Sequence, residues 1–357
     1  MEFDFDFNIE EIKNIKKTIQ AQIEKFNNLR DLVKKLKFIP LDPMGTYTSV
    51  SYKSIDGGKM GISFHPFEFD FIVIADSMDN ELMRYLVPKS ESLKPTDFIY
   101  MNEFTEIKKL LEFLNLSSIT EASNMLVDPK IAMELTEYAC IFERLGKNPK
   151  DPVIVMKDGL LRTKAIKYQY IPQLLNVLKN NKKKRLVGVA KNSQVINLLS
   201  TALYVEGIIQ NDYTGFVEVP WEIERIAYKR SKKETHLYYS FGKLYIAKLS
   251  SKSDLLVTIE IPYDFENDEP IYQKNEIYEI IGHLIKDSIG SYPILGYPQT
   301  IMRAHEKAVR TGFSASIWRD KIIDKLLEEL KNDKIKKLIQ ESHFLREYVQ
   351  KGMLGGI

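Results

Sequence analysis

Two short runs constrain what this chain can fold into: Pro152-Val153-Ile154-Val155-Met156 and Arg185-Leu186-Val187-Gly188-Val189-Ala190. Neither alternates polar with apolar residues, which is the pattern of a strand covered on both faces. Tyr168 to Leu178 lies between them with helical spacing. The three segments predict a β–α–β unit, and such a unit needs a sheet with parallel strands and a helix packed on it.

The flanking segments extend that core. Ile9, Ile12, Ile15, Ile19, Ile23, Phe26, Leu29, Val33 and Leu36 recur at steps of three and four, predicting one helix over 8–37 that Pro40 and Pro43 stop. Its single apolar stripe fits packing on its own domain or on another subunit. Residues 47–52 alternate, Asp56-Gly57-Gly58 reads as a turn, and 60–64 resume the strand pattern. Phe67 to Ala75 is a further strand, rich in aromatic and β-branched residues. Helices are expected at 103–115 and at 130–145, the second capped by Asp128 with Pro129 in its first turn. Residues 236–262 predict two or three antiparallel strands with turns at Gly242 and Ser250–Ser253, and helices follow at 272–288, 299–311 and 316–350. The fold class is α/β, a mixed sheet with helices on its faces.

The chain has 357 residues and a net charge of +2, so a nucleic-acid surface has to be a local patch on a balanced exterior. Cys140 is the only cysteine, which excludes a disulfide framework and a thiolate zinc cluster; its apolar neighbours mark it as a core residue. The acidic start lacks the basic region of a signal peptide, and no apolar stretch approaches the roughly 20 residues that span a bilayer. A soluble, cytoplasmic protein without membrane partners is expected.

Candidate chemistry gathers at a few points. An aspartate at the end of a buried strand, followed by glycine, is held rigidly while the chain turns away. Asp158 meets that description after Met156-Lys157, at the strand end where open α/β sheets place their ligands. Asp56-Gly57-Gly58 is weaker, because Asp-Gly is a common turn pair. Carboxylates on neighbouring strands suit hard divalent cations such as Mg²⁺ or Mn²⁺, which serve phosphodiester displacement. The helix at 130–145 adds Glu134, Glu137 and Glu143, and its apolar second half puts a glutamate near the sheet. Lys191-Asn192-Ser193 follows the second buried strand, where a lysine can meet a phosphate and Asn192 or Ser193 can cap a helix. Two Tyr-Pro pairs, Tyr292-Pro293 and Tyr297-Pro298, precede a helix bearing Arg303 and His305, and a histidine there can bind metal or transfer a proton. The other four, His65, His236, His283 and His343, read as structural or merely exposed.

In order, Asp56-Gly57-Gly58, the acidic helix, Lys157-Asp158-Gly159-Leu160-Leu161, Gly188-Val189-Ala190-Lys191-Asn192-Ser193 and Gly296-Tyr297-Pro298 with Ala304-His305 resemble the NurA family. The resemblance runs from about residue 50 to 310. It implies an RNase H-like (PIWI-like) core and a DNA nuclease, a 5′-to-3′ exonuclease and single-strand endonuclease using Mn²⁺, with Mg²⁺ as the alternative. It further implies a homodimer that docks on a HerA-type hexameric ATPase translocase in end resection and double-strand break repair. The catalytic set it implies is Asp56, Glu137, Asp158, Tyr297 and His305, all but Tyr297 as metal ligands, with Glu134 the runner-up for the glutamate. Tyr297 is expected to orient the phosphate or stack a base. Lys191, Asn192, Arg303, Lys183 and Arg185 are expected on single-stranded DNA and duplex ends, with basic clusters at 182–185 and 229–233 along the strand. Gly58 stands where the family commonly has Ser, and Leu160 where Ser or Pro is frequent; neither change removes a ligand.

The expected organisation is a helical arm over 1–45, a nuclease domain over 46–315 and a helical segment over 316–357. Two other readings fit the residues less fully: another RNase H-like nuclease, or a catalytically silent adaptor of a DNA translocase.

Overall fold

The structure is a computed structural model that describes residues 9–43, 50–64, 67–89, 102–123, 128–147, 152–181, 183–228 and 240–329, with positions 97, 99, 126 and parts of 331–341. Outside them lie the expected strand residues 47–49, His65, His236, His343, Lys182, the basic cluster 229–233 and the last part of the C-terminal helix.

Three parallel strands form the centre: β2 (Ser51–Phe64), β5 (Val153–Asp158) and β6 (Lys184–Ala190). On the far side of β2, β3 (Phe67–Asp76) and β4 (Glu81–Pro88) continue antiparallel. Beyond β6 come β9 (Leu256–Asp264), β8 (Gly242–Lys248), β7 (Gly215–Glu218) and the short β1 (Ile39–Pro40), while β10 (Glu269–Pro270) pairs with β9. Among the described residues this is one ten-stranded sheet. The order β4-β3-β2-β5-β6, with only β3 reversed against its neighbours β2 and β4, is the RNase H-like core that the resemblance implies.

Both faces of the centre are covered. On one, α2 (Thr105–Leu114), α3 (Pro129–Gly146) and α4 (Ile171–Lys179) pack against Ile55, Val153, Val155 and Leu186. On the other, α7 (Lys274–Ser288) and α8 (Gln299–Glu329) meet Ile154, Met156, Val187 and Val189. Strand residues alternate between the faces, so odd positions of β5 point to α3 and even ones to α7 and α8. Each such buried side chain contributes about 1.5–3 kcal/mol. Towards β7 and β8, α5 (Gln194–Val205) and α6 (Trp221–Ala227) form a third cluster with Leu29 and Val33 of α1 (Ile9–Val33), whereas Ile12 and Ile15 of α1 are exposed.

The structure differs from three expectations. Asp56-Gly57-Gly58 is no turn: β2 runs straight through it, with Asp56 opposite Ala75 and Gly58 opposite Val73. The glycines are needed for space instead. A Cβ on Gly57 would lie 2.4 Å from Glu137 Oε1 of α3, and one on Gly58 would lie 2.9 Å from the Ala308 carbonyl of α8. Gly242 likewise opens β8 rather than a turn, because its N–H is bound by Glu260. Finally, the helices expected at 299–311 and 316–350 are continuous over 299–329. Gly312 weakens a helix without breaking it, and the Thr311 and Ser314 hydroxyls return to carbonyls of the preceding turn.

Candidate metal centre

Asp56 sits in mid-β2 and Asp158 ends β5; the parallel register that pairs Ile55 with Lys157 sets the two aspartates side by side. Both are even positions and face α8. After Asp158 the chain leaves the sheet through Gly159, whose φ of +94° is open to glycine at little cost. His305, in the second turn of α8, closes the group. Its Nδ1 lies 2.8 Å from Asp56 Oδ2, to which the ring N–H donates, and 3.8 Å from Asp158 Oδ2. One ligand atom from each of the three lies within 4.8 Å of the other two. Two carboxylates and an imidazole so placed fit a divalent cation of the Mn²⁺ or Mg²⁺ kind.

Electrostatics favour a cation here. Burial, then the charge of Asp56, holds the Asp158 carboxyl above its ordinary value, against Tyr297, Lys191 and His305. The hydrogen bond to Asp56 raises His305 above its usual 6.5, against burial. Tyr297 is fully buried; its hydroxyl lies 2.7 Å from Asp158 Oδ1 and 3.0 Å from the Val189 carbonyl, two acceptors for one proton. Burial and Asp158 push that phenol far above its ordinary value. The buried ring is not available to stack a base, so that expectation is corrected. Lys191 lies 5.3 Å over the same ring, with exposed Asn192 beside it and Ser193 capping α5. Arg303 is exposed two residues before His305, within electrostatic reach of Asp287.

Glu137 is brought near the centre but not into it. It lies on the α3 side of the sheet, fully buried, with Oε2 3.2 Å from Lys157 Nζ. Burial is the largest influence on its carboxyl; Lys157 opposes it, Asp56 and Glu134 reinforce it, and the result is a rise to about 7. Glu134, also raised by burial, shares Lys157 and bonds Thr163. Arg185 and Lys183 are not brought to the site. Arg185 lies at the opposite end of β6 from Ala190, roughly 17 Å away by strand rise, where it pairs with Glu276 and Glu279 of α7, and Lys183 just precedes the strand. His283 is structural, its Nδ1 2.8 Å from the Tyr52 hydroxyl.

Sequence reasoning passed over Lys157. Its signal was its place in a strand buried on both faces, where a lysine has to be paired.

Fold and site together define an RNase H-like protein with an aspartate–aspartate–histidine group placed so that it could hold a metal ion. Residues 55–310 match the NurA domain family model, and the chain belongs to the NurA family. The crystal structure of the NurA nuclease from Sulfolobus solfataricus is 12% identical, with 91% of this chain and 99% of that chain covered and a TM-score of 0.44. A NurA structure bound to dAMP and manganese is 10% identical over 94% and 100%, TM-score 0.48. The catalytic domain of human endonuclease V is 10% identical over 84% and 98%, TM-score 0.27. No curated protein matches.

Proposed function

We propose that this chain is a metal-dependent DNA nuclease, and the observation that carries the reading is the convergence of Asp56, Asp158 and His305 from two parallel strands and a helix. Asp56, Asp158 and His305 would hold the cation. A divalent ion so held supplies Lewis acidity towards a phosphodiester. The chain's own residues do the rest. Tyr297 donates to Asp158 and keeps its carboxylate turned towards Asp56. His305 holds a proton on Nδ1 against Asp56, and that nitrogen would have to give it up to ligate a cation. Lys191, at the mouth of the site, attracts a backbone phosphate as a point charge, with Asn192 beside it to donate.

Family membership supports the finer reading: a Mn²⁺-using 5′-to-3′ exonuclease and single-strand endonuclease, working as a cytoplasmic homodimer with a HerA-type translocase in end resection. No helix among the described residues is long and apolar enough to cross a membrane.

The deciding assay is cleavage of single-stranded DNA with Mn²⁺ by the wild type, Asp56→Asn and Asp158→Asn, alone and with a HerA-type translocase. Loss of a hundredfold or more in both variants is expected, since even residues that only support a metal ligand are worth about 10–100-fold. A wild type inert under every condition overturns the enzyme reading. Normal cutting by both variants overturns this site.

A further inference from the structure

We infer that Tyr292 is the platform on which a base of single-stranded DNA stacks beside the candidate metal centre. The inference rests on the nuclease reading above and names an aromatic contact that the buried Tyr297 does not make.

The loop between α7 and α8, residues 289–298, stands at the end of the sheet that carries Asp158. Near its start α7 meets Arg185 through Glu276 and Glu279, and its 15 residues then carry the chain about 22 Å towards the Ala190 end of β6. From the loop, Tyr297 dips to Asp158 and the Val189 carbonyl. Tyr292, five residues earlier, stays at the surface. Five residues span at most about 18 Å, so one short strand can touch both the ring and the metal ligands.

The Tyr292 ring is 80% exposed, the most exposed aromatic among the described residues, yet the backbone beneath it is fixed. Its N–H donates to Gln299 Oε1 at 2.8 Å, and Gln299 Nε2 donates to its carbonyl at 3.3 Å. The buried Ser291 hydroxyl lies 2.8 Å from the Ile294 carbonyl and accepts from the Gly296 N–H at 3.1 Å. Asp287 ties the ends of the loop together by accepting from the N–H and the hydroxyl of Thr300 in α8. The ring adds almost no buried area to the fold. A flat surface held so firmly in solvent loses little freedom when a flat ligand settles on it.

Cations flank the ring. Arg303 is exposed one turn beyond Gln299 on the same face of α8. Lys252 is exposed in the loop between β8 and β9, whose Ser250 and Ser253 close on Gly296. Lys191 is exposed over Tyr297. An aromatic ring among cations is the chemistry of sequence-tolerant single-strand binding: the cations meet phosphates, and every base offers a face to the ring. Bases in a duplex already stack on one another, so the platform suits an unpaired strand.

The test is fluorescence anisotropy of a labelled oligo(dT) strand on the full-length protein, in chelator so that nothing is cut. A strand of equal length with abasic sites in place of the thymines is the comparison. Tyr292→Ala is expected to weaken oligo(dT) binding at least about fivefold with an unchanged salt slope, because a stacking contact is lost and no charge is. Tyr292→Leu, apolar but without a ring, should behave like Tyr292→Ala, and Tyr292→Trp should stay within about twofold of the wild type. On the abasic strand the gap between wild type and Tyr292→Ala should close. A smaller loss on oligo(dT), the result if the ring serves a protein partner instead, overturns the inference; so does an equal loss on both strands. A wild type that binds no oligo(dT), in chelator or with Ca²⁺, overturns the nuclease reading and this inference with it. Binding by the wild type that Tyr292→Ala leaves unchanged overturns the inference alone.

Discussion

The Tyr297 hydroxyl lies 2.7 Å from Asp158 Oδ1, tying the loop before α8 to the end of β5 across 139 residues of sequence. Because the ring is wholly buried, Tyr297→Phe preserves packing and removes only the donor. Asp158 and the Val189 carbonyl then lose a partner, at a cost of about 1–3 kcal/mol. The expected result is a lower urea midpoint with an unchanged slope, and Mn²⁺ affinity reduced about tenfold or more. An unchanged affinity would remove Tyr297 from the site.

Glu137 makes metal-free stability depend on pH. Its folded value of about 7 exceeds the ordinary 4.5, so between those limits the folded state holds the extra proton. Stability contributed at this site is present below about 4.5 and lost as pH rises to about 7, by up to about 3 kcal/mol. Urea midpoints at pH 5, 6, 7 and 8 in chelator are expected to fall more steeply for the wild type than for Glu137→Gln. Parallel curves would refute the assignment.

Proton and metal compete at His305, whose value lies above 6.5 because its N–H donates to Asp56. Below that value the ring must lose a proton to ligate, so Mn²⁺ affinity is expected to drop about tenfold per pH unit on the acid side. His305→Ala should bind weakly with a much shallower dependence, read by calorimetry from pH 5.5 to 8.5.

Gly57→Ala and Gly61→Ala form a matched pair on one strand. The first places a Cβ 2.4 Å from Glu137 Oε1 and 2.9 Å from Met133 Cγ; the second meets nothing within 4 Å. Gly57→Ala is expected to destabilise by about 1–3 kcal/mol, and Gly61→Ala to leave the melting midpoint unchanged or slightly raised. Equal effects would mean that Glu137 does not press on β2.

Lys191 and Arg185 separate site from scaffold. Lys191→Ala is expected to weaken binding of single-stranded DNA and reduce its salt slope by about one charge. Arg185→Ala breaks ion pairs to Glu276 and Glu279 far from the centre and should leave DNA affinity unchanged. Anisotropy at several salt concentrations distinguishes them.

Much of this was legible in the chain itself. Runs such as Val153-Ile154-Val155-Met156 announce a buried strand because no polar residue interrupts them, and the β–α–β unit, α2, α3 with its Asp128 cap, and α7 follow from local patterns. Asp158 and His305 stood out by position and company. Asp56-Gly57-Gly58 was misread as a turn because local chemistry favours one there; the pairing of β3 along its whole length and the approach of α3 and α8 overrode that preference. Nothing local could say that β2 and β5 would meet in the register that joins Asp56 to Asp158, that Arg185 would face α7 at the far end of β6, or that Lys157 would take Glu137. Periodicity records which residues are buried, because burial is a property of one segment and its average surroundings. Which buried charge meets which depends on contacts between segments far apart in sequence, and only the assembled sheet, with its register and its two faces, decides that.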